Sequence, residues 1–182
     1  MRVAYEYSHL GGKEILQVRF PEILREIREV IAEVKAKRAK VSKEKTKEGT
    51  LLYAPERMND AFTEAFAKRG FHRVRDTYDI VLPEQEKPVV RGAYKEVDFV
   101  KDRVFVEVQF GKYAFMFYDM AKFQYFFNEG RADVGVEIVP AYTLKRQMSS
   151  GVSYGEQLVY DIERLRRHFP AVPVYVVLVD AD

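Results

Sequence analysis

After Phe20 and Pro21 the apolar positions Ile23, Ile27, Val30, Ile31 and Val34 recur at helical spacing, with Glu22 at the start and Lys35, Lys37 and Arg38 at the end; the pattern predicts an amphipathic helix. Pro55 opens a second, with Met58, Phe62 and Phe66 as its apolar stripe and Gly70 as its stop. The stretch to Leu82 reads as extended and Pro83 to Pro88 as a loop. The period then changes to two: Val97 to Val100 and Val104 to Phe110 predict two strands joined by a tight turn around Lys101 and Asp102. Residues 113–127 are helical in spacing but apolar almost all round, which suits a helix between other elements or at an interface. Val134 to Val139 and Val172 to Val179 read as buried strands, with a helix from Glu156 to His168 between them. No internal repeat or low-complexity segment interrupts the order. The sum is a mixed α/β domain.

The 182 residues fit one domain, 1–182, long enough for a self-sufficient core. Cysteine is absent, which excludes a disulfide framework, thiol catalysis and a thiolate metal site, and suits a reducing cytoplasm. The three histidines, His9, His72 and His168, lie far apart, so a metal would need oxygen ligands. The net charge of +2 announces no partner by itself. The first residues lack a basic, then apolar, export signal, and no run of 18 apolar residues occurs, so a cytoplasmic protein without a membrane partner is expected. From Lys35 to Lys47 seven Lys or Arg surround a single large apolar residue, Val41; the stretch is expected to be exposed and mobile.

The chemistry concentrates in Glu96 to Phe110. Along the second strand Val104, Val106, Val108 and Phe110 point one way, and Phe105, Glu107 and Gln109 the other. With the turn centred between Lys101 and Asp102, Asp98 falls opposite Phe105, on the polar face and diagonal to Glu107. Such neighbours are about 7–8 Å apart at the backbone, a span one hard cation can bridge. Two carboxylates in a valine-rich setting repel unless a proton or a metal relieves them. The carbonyl of Val108 would be a third oxygen ligand, leaving positions for waters and a phosphate as Mg²⁺ prefers. Such a site fits phosphodiester hydrolysis. Alternating strands with acids on a solvated face are equally a common structural pattern, and the spacing alone separates neither reading.

FVKDRVFVEVQFGKYAF closely resembles the active-site hairpin of the BglII/BstYI group of type II restriction endonucleases, relatives of BamHI, with the nearest likeness on the BstYI side. The resemblance extends to EYSHLGG, KEKTKEG, YAPERMNDAF, DVGVEIVP and MSSGVSYGE, and so to nearly the whole chain. It implies a restriction-endonuclease-like core of the PD-(D/E)xK type, a central mixed sheet flanked by helices. It further implies Mg²⁺-dependent cleavage of double-stranded DNA at a short palindrome with a GATC centre, such as RGATCY. A homodimer with one active site per strand and a cognate methyltransferase in the host would follow.

Residue by residue, the resemblance puts the metal-binding acids on Asp98 and Glu107 and the third active-site position on Gln109. Many nucleases of this general fold carry a lysine there; Gln109 is neutral and can orient water but not act as a base. Lys112 and the pair Ser149 and Ser150 correspond to DNA-reading positions, the serines being equally compatible with a plain loop before the next helix. In a DNA enzyme Lys43, Lys45 and Lys47 would form a partial phosphate clamp. Aromatic and Met residues between Tyr113 and Phe127 fit either a dimer patch or a core helix. His72, Arg73 and Arg75 read as a solvated basic patch and His9 as structural. Two alternatives remain at this level: a repair or junction nuclease of the same fold, and a DNA-binding protein without catalysis.

Overall fold

The computed structural model describes residues 1–182. Its frame is a six-stranded sheet in the order β1 (Arg2–His9), β8 (Val174–Asp180), β7 (Val134–Pro140), β6 (Val104–Val108), β5 (Val90–Lys101), β4 (His72–Ile80). β6, β7 and β8 run parallel to one another, whereas β1 joins β8, and β4 and β5 join β6, in antiparallel pairings. The sheet is therefore mixed, as the α/β reading requires. The parallel strands are buried throughout, which is why they read as continuous apolar runs.

Helices α1 (Gly12–Arg19), α2 (Pro21–Glu33) and α3 (Pro55–Lys68) cover one face, closing a core that includes Ile27, Ile31, Phe62, Phe66, Val106 and Tyr175. On the other face α4 (Tyr113–Asn128) and α6 (Gly155–Leu165) enclose Phe105, Met120, Phe123, Phe126, Leu158 and Leu178. A one-turn helix, α5 (Tyr142–Lys145), follows β7. No helix is long and apolar enough to cross a membrane.

Three sequence expectations change. The N-terminal strand β1 and helix α1 were not foreshadowed by the apolar spacing of α2, although Tyr5 and Tyr7 share a face of β1. The basic stretch is not a loose segment: β2 (Arg38–Val41) and β3 (Leu51–Tyr53) pair as a two-stranded hairpin. Main-chain bonds from Ser42 to Thr50 and from Gly49 to Ser42, 2.9 and 3.0 Å, close it without any apolar face, and β2 stays fully exposed. Finally, the β5–β6 turn lies one residue later than expected, at Asp102 and Arg103. Asp102 takes a left-handed φ of 52°, which a short polar side chain tolerates.

The helix carrying the site-side polar residues, α4, is seated by a close approach. Gly135 on β7 lies under the Phe123 ring, and a Cβ there would stand 2.5 Å from a ring carbon. Gly135→Ala should force α4 off the sheet and cost about 1–3 kcal/mol, read as a lower urea midpoint with an unchanged denaturant slope.

Candidate active site

The register of the β5–β6 hairpin decides how the two acids meet. Phe99 pairs with Val106, Val100 with Phe105 and Lys101 with Val104, so continuing the ladder sets Asp98 directly opposite Glu107. Extended past Phe99, that pairing would turn the diagonal arrangement into a facing one, and a two-residue shift leaves the face of a regular ladder unchanged. Across β5 from this pair, His72 pairs with Val100 but Val74 with Val97, so Arg73 faces two residues, Asp98 and Phe99. This is a β-bulge at the aspartate. Bulges re-aim a side chain at the cost of one unpaired residue. Arg73 holds the result by reaching Asp98 at 3.3 Å and Glu96 at 3.4 Å, while Arg75 takes Glu96 at 2.7 Å. These arginines are tied to carboxylates, in contrast to a freely solvated patch.

The Asp98 side chain is 41 % exposed, and that of Glu107 only 4 %. What holds Glu107 comes from α4. Asp119 and Lys122, one turn apart, both point at the sheet: the Lys122 ammonium donates to Glu107 Oε1 and stands 2.7 Å from Asp119 Oδ1. Gln109 donates its Nε2 to the second oxygen, Asp119 Oδ2, at 3.2 Å. Directly beside Glu107 on β7 sits Glu137, wholly buried, with neither carboxylate oxygen hydrogen-bonded.

Glu107 and Asp119 thus share one largely covered cation, and Glu137 lies beside Glu107 on the neighbouring strand. Burial, then Asp119 and to a smaller extent Asp98, push the Glu107 carboxyl up, with Lys122 opposing. Burial likewise raises Asp119, against the pull of Lys122 and Gln109. Burial works against the charge of Lys122, but Glu107 and Asp119 together hold its ammonium more firmly than in water. Glu137 is raised well above the ordinary range, first by burial and then by Asp119 and Glu107.

The donor set fits a hard divalent cation. No three carboxylates or imidazoles form a ready-made cage. Mg²⁺ does not need one, because it binds through one or two carboxylates and keeps its remaining positions for water and phosphate oxygens. Asp98 and Glu107 would supply those two carboxylates, since Lys122 occupies only Oε1 of Glu107. Val108 turns its side chain into the opposite core, so its carbonyl is the one donor it can offer.

The positions expected to read DNA lie on two segments joined through the main chain. Lys112 is exposed at the start of α4, three residues beyond Gln109. The loop between α5 and α6 is stitched to the same strand end by Ser153 N–H donating to Gly111 O at 2.8 Å. Ser150 is exposed. Ser149 differs from the expectation: its Oγ is buried and unpartnered.

The hairpin also departs from a simple clamp. Lys43 and Lys45 are exposed. Lys47, however, donates to the carbonyls of Arg146 and Met148, each at 2.9 Å, and Glu44 accepts from Ser150 N–H at 2.8 Å. Lys47 is thus spent on the loop instead of standing free for a phosphate. His9 is structural as expected, with its Nε2 2.7 Å from Pro170 O. The sequence reading missed Asp119, Lys122 and Glu137. The signal was present as charges breaking otherwise apolar runs, YDMAKF and VGVEIV.

A model of the family described as "Restriction endonuclease BglII/BglIII" matches residues 4–179. Among solved structures, the chain is similar to restriction endonuclease BglII complexed with a DNA 16-mer, at TM-score 0.77 and 21 % identity over 100 % of this chain and 78 % of that one. Free BglII is similar at TM-score 0.70 and 19 % identity, over 100 % and 81 % of the two chains. No curated protein sequence matches.

The pH dependence of stability follows from Glu137. The folded state keeps its proton where the unfolded chain, near the ordinary value of 4.5, has lost it. Its contribution is therefore fully present below that value and is lost as pH rises through the raised one. Glu137→Gln, neutral at every pH, should gain urea midpoint over the natural protein as pH climbs from acid to alkaline. A constant difference would refute the assignment.

Proposed function

Because the chain belongs to the BglII/BglIII family of restriction endonucleases, it is a type II site-specific deoxyribonuclease, and we propose that it hydrolyses duplex DNA with Mg²⁺ held by Asp98, Glu107 and the carbonyl of Val108. The observation that carries this reading is the β5–β6 pairing, which ends at Phe99 and Val106 and so leaves Asp98 and Glu107 as the next residue on each strand, with Gln109 two residues on. A bound Mg²⁺ would polarise the phosphoryl oxygen, acidify the attacking water and offset charge on the leaving 3′ oxygen. The chain's own groups divide the rest. Arg73 and the bulge aim Asp98, Lys122 fixes Glu107, and Gln109 orients the nucleophile by hydrogen bonding.

DNA binding comes to this chain by likeness to BglII, which has been seen with a DNA 16-mer. Lys112 at the start of α4 is placed to donate to purine acceptors near the cut. Ser150 offers an exposed hydroxyl that both donates and accepts, and therefore tolerates either purine. This suits a palindrome with a GATC centre and degenerate outer pairs, RGATCY, in keeping with a BstYI-like place within the family. Ser149 would have to turn outward to take part. A palindrome calls for a homodimer with one active site per strand. The exposed Phe115 and Tyr118 on the outer side of α4 give that dimer an apolar contact, while Met116, Met120 and Phe123 fill the core. A cognate methyltransferase would protect the host.

The test is digestion of a plasmid of known sequence with Mg²⁺, with Ca²⁺ and with EDTA, followed by sequencing of fragment ends. Discrete fragments sharing one terminal sequence, with Mg²⁺ only, are expected; ends without a common sequence would favour a structure-directed nuclease. Asp98→Asn should abolish cleavage while largely sparing duplex affinity in Ca²⁺, and undiminished cutting by this variant would remove Asp98 from the site. Neutralising Lys43 and Lys45 together should lower the slope of log affinity against log salt by about 2, since each lysine that no longer neutralises a phosphate lowers it by about 1. An unchanged slope would dismiss the clamp.

A further inference from the structure

Gln109 is held on two sides, and neither partner was among the expected active-site residues. Its Nε2 donates to Asp119 Oδ2 at 3.2 Å. Its Oε1 lies over Gly111, so close that a Cβ on that glycine would stand 2.5 Å from it. Gly111 has no left-handed φ, and the one atom that a Cβ there would crowd is the tip of the Gln109 amide, which would have to move. Asp119 is itself oriented, because its other oxygen is taken by Lys122 at 2.7 Å.

An amide is polar in opposite senses at its two ends, one a pure donor and the other a pure acceptor. A carboxylate facing Gln109 accepts only, which forces the NH₂ end inward and the carbonyl outward. From this geometry we infer that Asp119 is a positioning residue that locks the Gln109 amide in one orientation, so that Oε1 is the atom presented to the attacking water, with Gly111 leaving room for it. The inference rests on the nuclease reading above and sharpens it: Gln109 accepts a hydrogen bond from the water and so turns the water's lone pair towards phosphorus. Lys122 is part of the device, because it decides which oxygen of Asp119 is left for Gln109.

The lock can be reversed without changing shape. In Asp119→Asn, Lys122, which has donors only, keeps the remaining oxygen, and the new NH₂ faces Gln109. The glutamine must then turn its own oxygen inward and its NH₂ outward, where it can no longer accept from water. Adding Gln109→Glu restores an acceptor at both ends and returns the net charge of the site to its original value. The experiment compares steady-state cleavage of duplex DNA in Mg²⁺ by the natural protein, Asp119→Asn, the double variant and Gly111→Ala, all as full chains, with duplex affinity in Ca²⁺ and thermal midpoint measured beside it.

Asp119→Asn should lose about 10²-fold in kcat with KM and Ca²⁺-supported affinity unchanged, the scale of a misplaced reacting group. The double variant should regain most of that loss. Gly111→Ala, which displaces the same amide from the other side, should also lower kcat at unchanged KM, and it reports on the lock even where Asp119→Asn fails to fold. Natural kcat in Asp119→Asn, a double variant no faster than that single one, or natural kcat in Gly111→Ala would each overturn the inference while leaving the nuclease reading standing. A natural protein that cuts no duplex in Mg²⁺ would remove the reading and the inference together.

Discussion

One ammonium in the interior sets the terms for the polar half of this fold. Lys122 lies between Glu107 and Asp119 beneath a helix that is otherwise almost wholly apolar, and Glu137 is buried beside them without a partner. Removing charge from water is costly, and an ion pair in such a place repays the cost only when its geometry is satisfied from several sides. The chain arranges this through the seating of α4: Gly135 admits Phe123, Phe123 brings the helix down, and one turn of that helix then delivers both Asp119 and Lys122 to the sheet. The packing of the core and the position of the acids are therefore one problem with one solution.

The sheet separates this polar network from the bulk of the apolar core. Val104, Val106 and Val108 of β6 face the cluster under α2 and α3, while Phe105, Glu107 and Gln109 face α4. A strand carrying both an apolar face and a reactive one can sit in the middle of a sheet only if the second face has its own covering layer, and α4 is that layer. Asp98 stands at the open end of it, half in solvent, where a phosphate can arrive.

Much of this was legible in the amino-acid order. The periodicities of α2, α3, β6, β7 and β8 are strong because each element buries one complete face or both, and burial is what periodicity records. A shift of two residues in the β5–β6 register leaves the face of each residue unchanged, because side chains alternate with period two. The register itself, the bulge opposite Arg73 and the hairpin in the basic stretch were not legible. They depend on main-chain pairing and on one left-handed aspartate, which leave no apolar pattern. The carboxylates and lysine of α4 and β7 were visible as charges out of place. Their convergence needed the third dimension, since Glu107 and Glu137 are thirty residues apart in the chain and adjacent across a parallel ladder.

The bond from Ser153 N–H to Gly111 O joins the loop after α5 to the end of the strand that carries Gln109. Under the proposed assignment those two segments meet different parts of the DNA, one an outer base and the other the scissile phosphate. Their spacing is set by that main-chain bond and by the side-chain grip of Lys47 and Glu44 on the loop. Under that assignment the molecule would carry a ruler that ties the bond it cuts to a constant offset from the letters it reads.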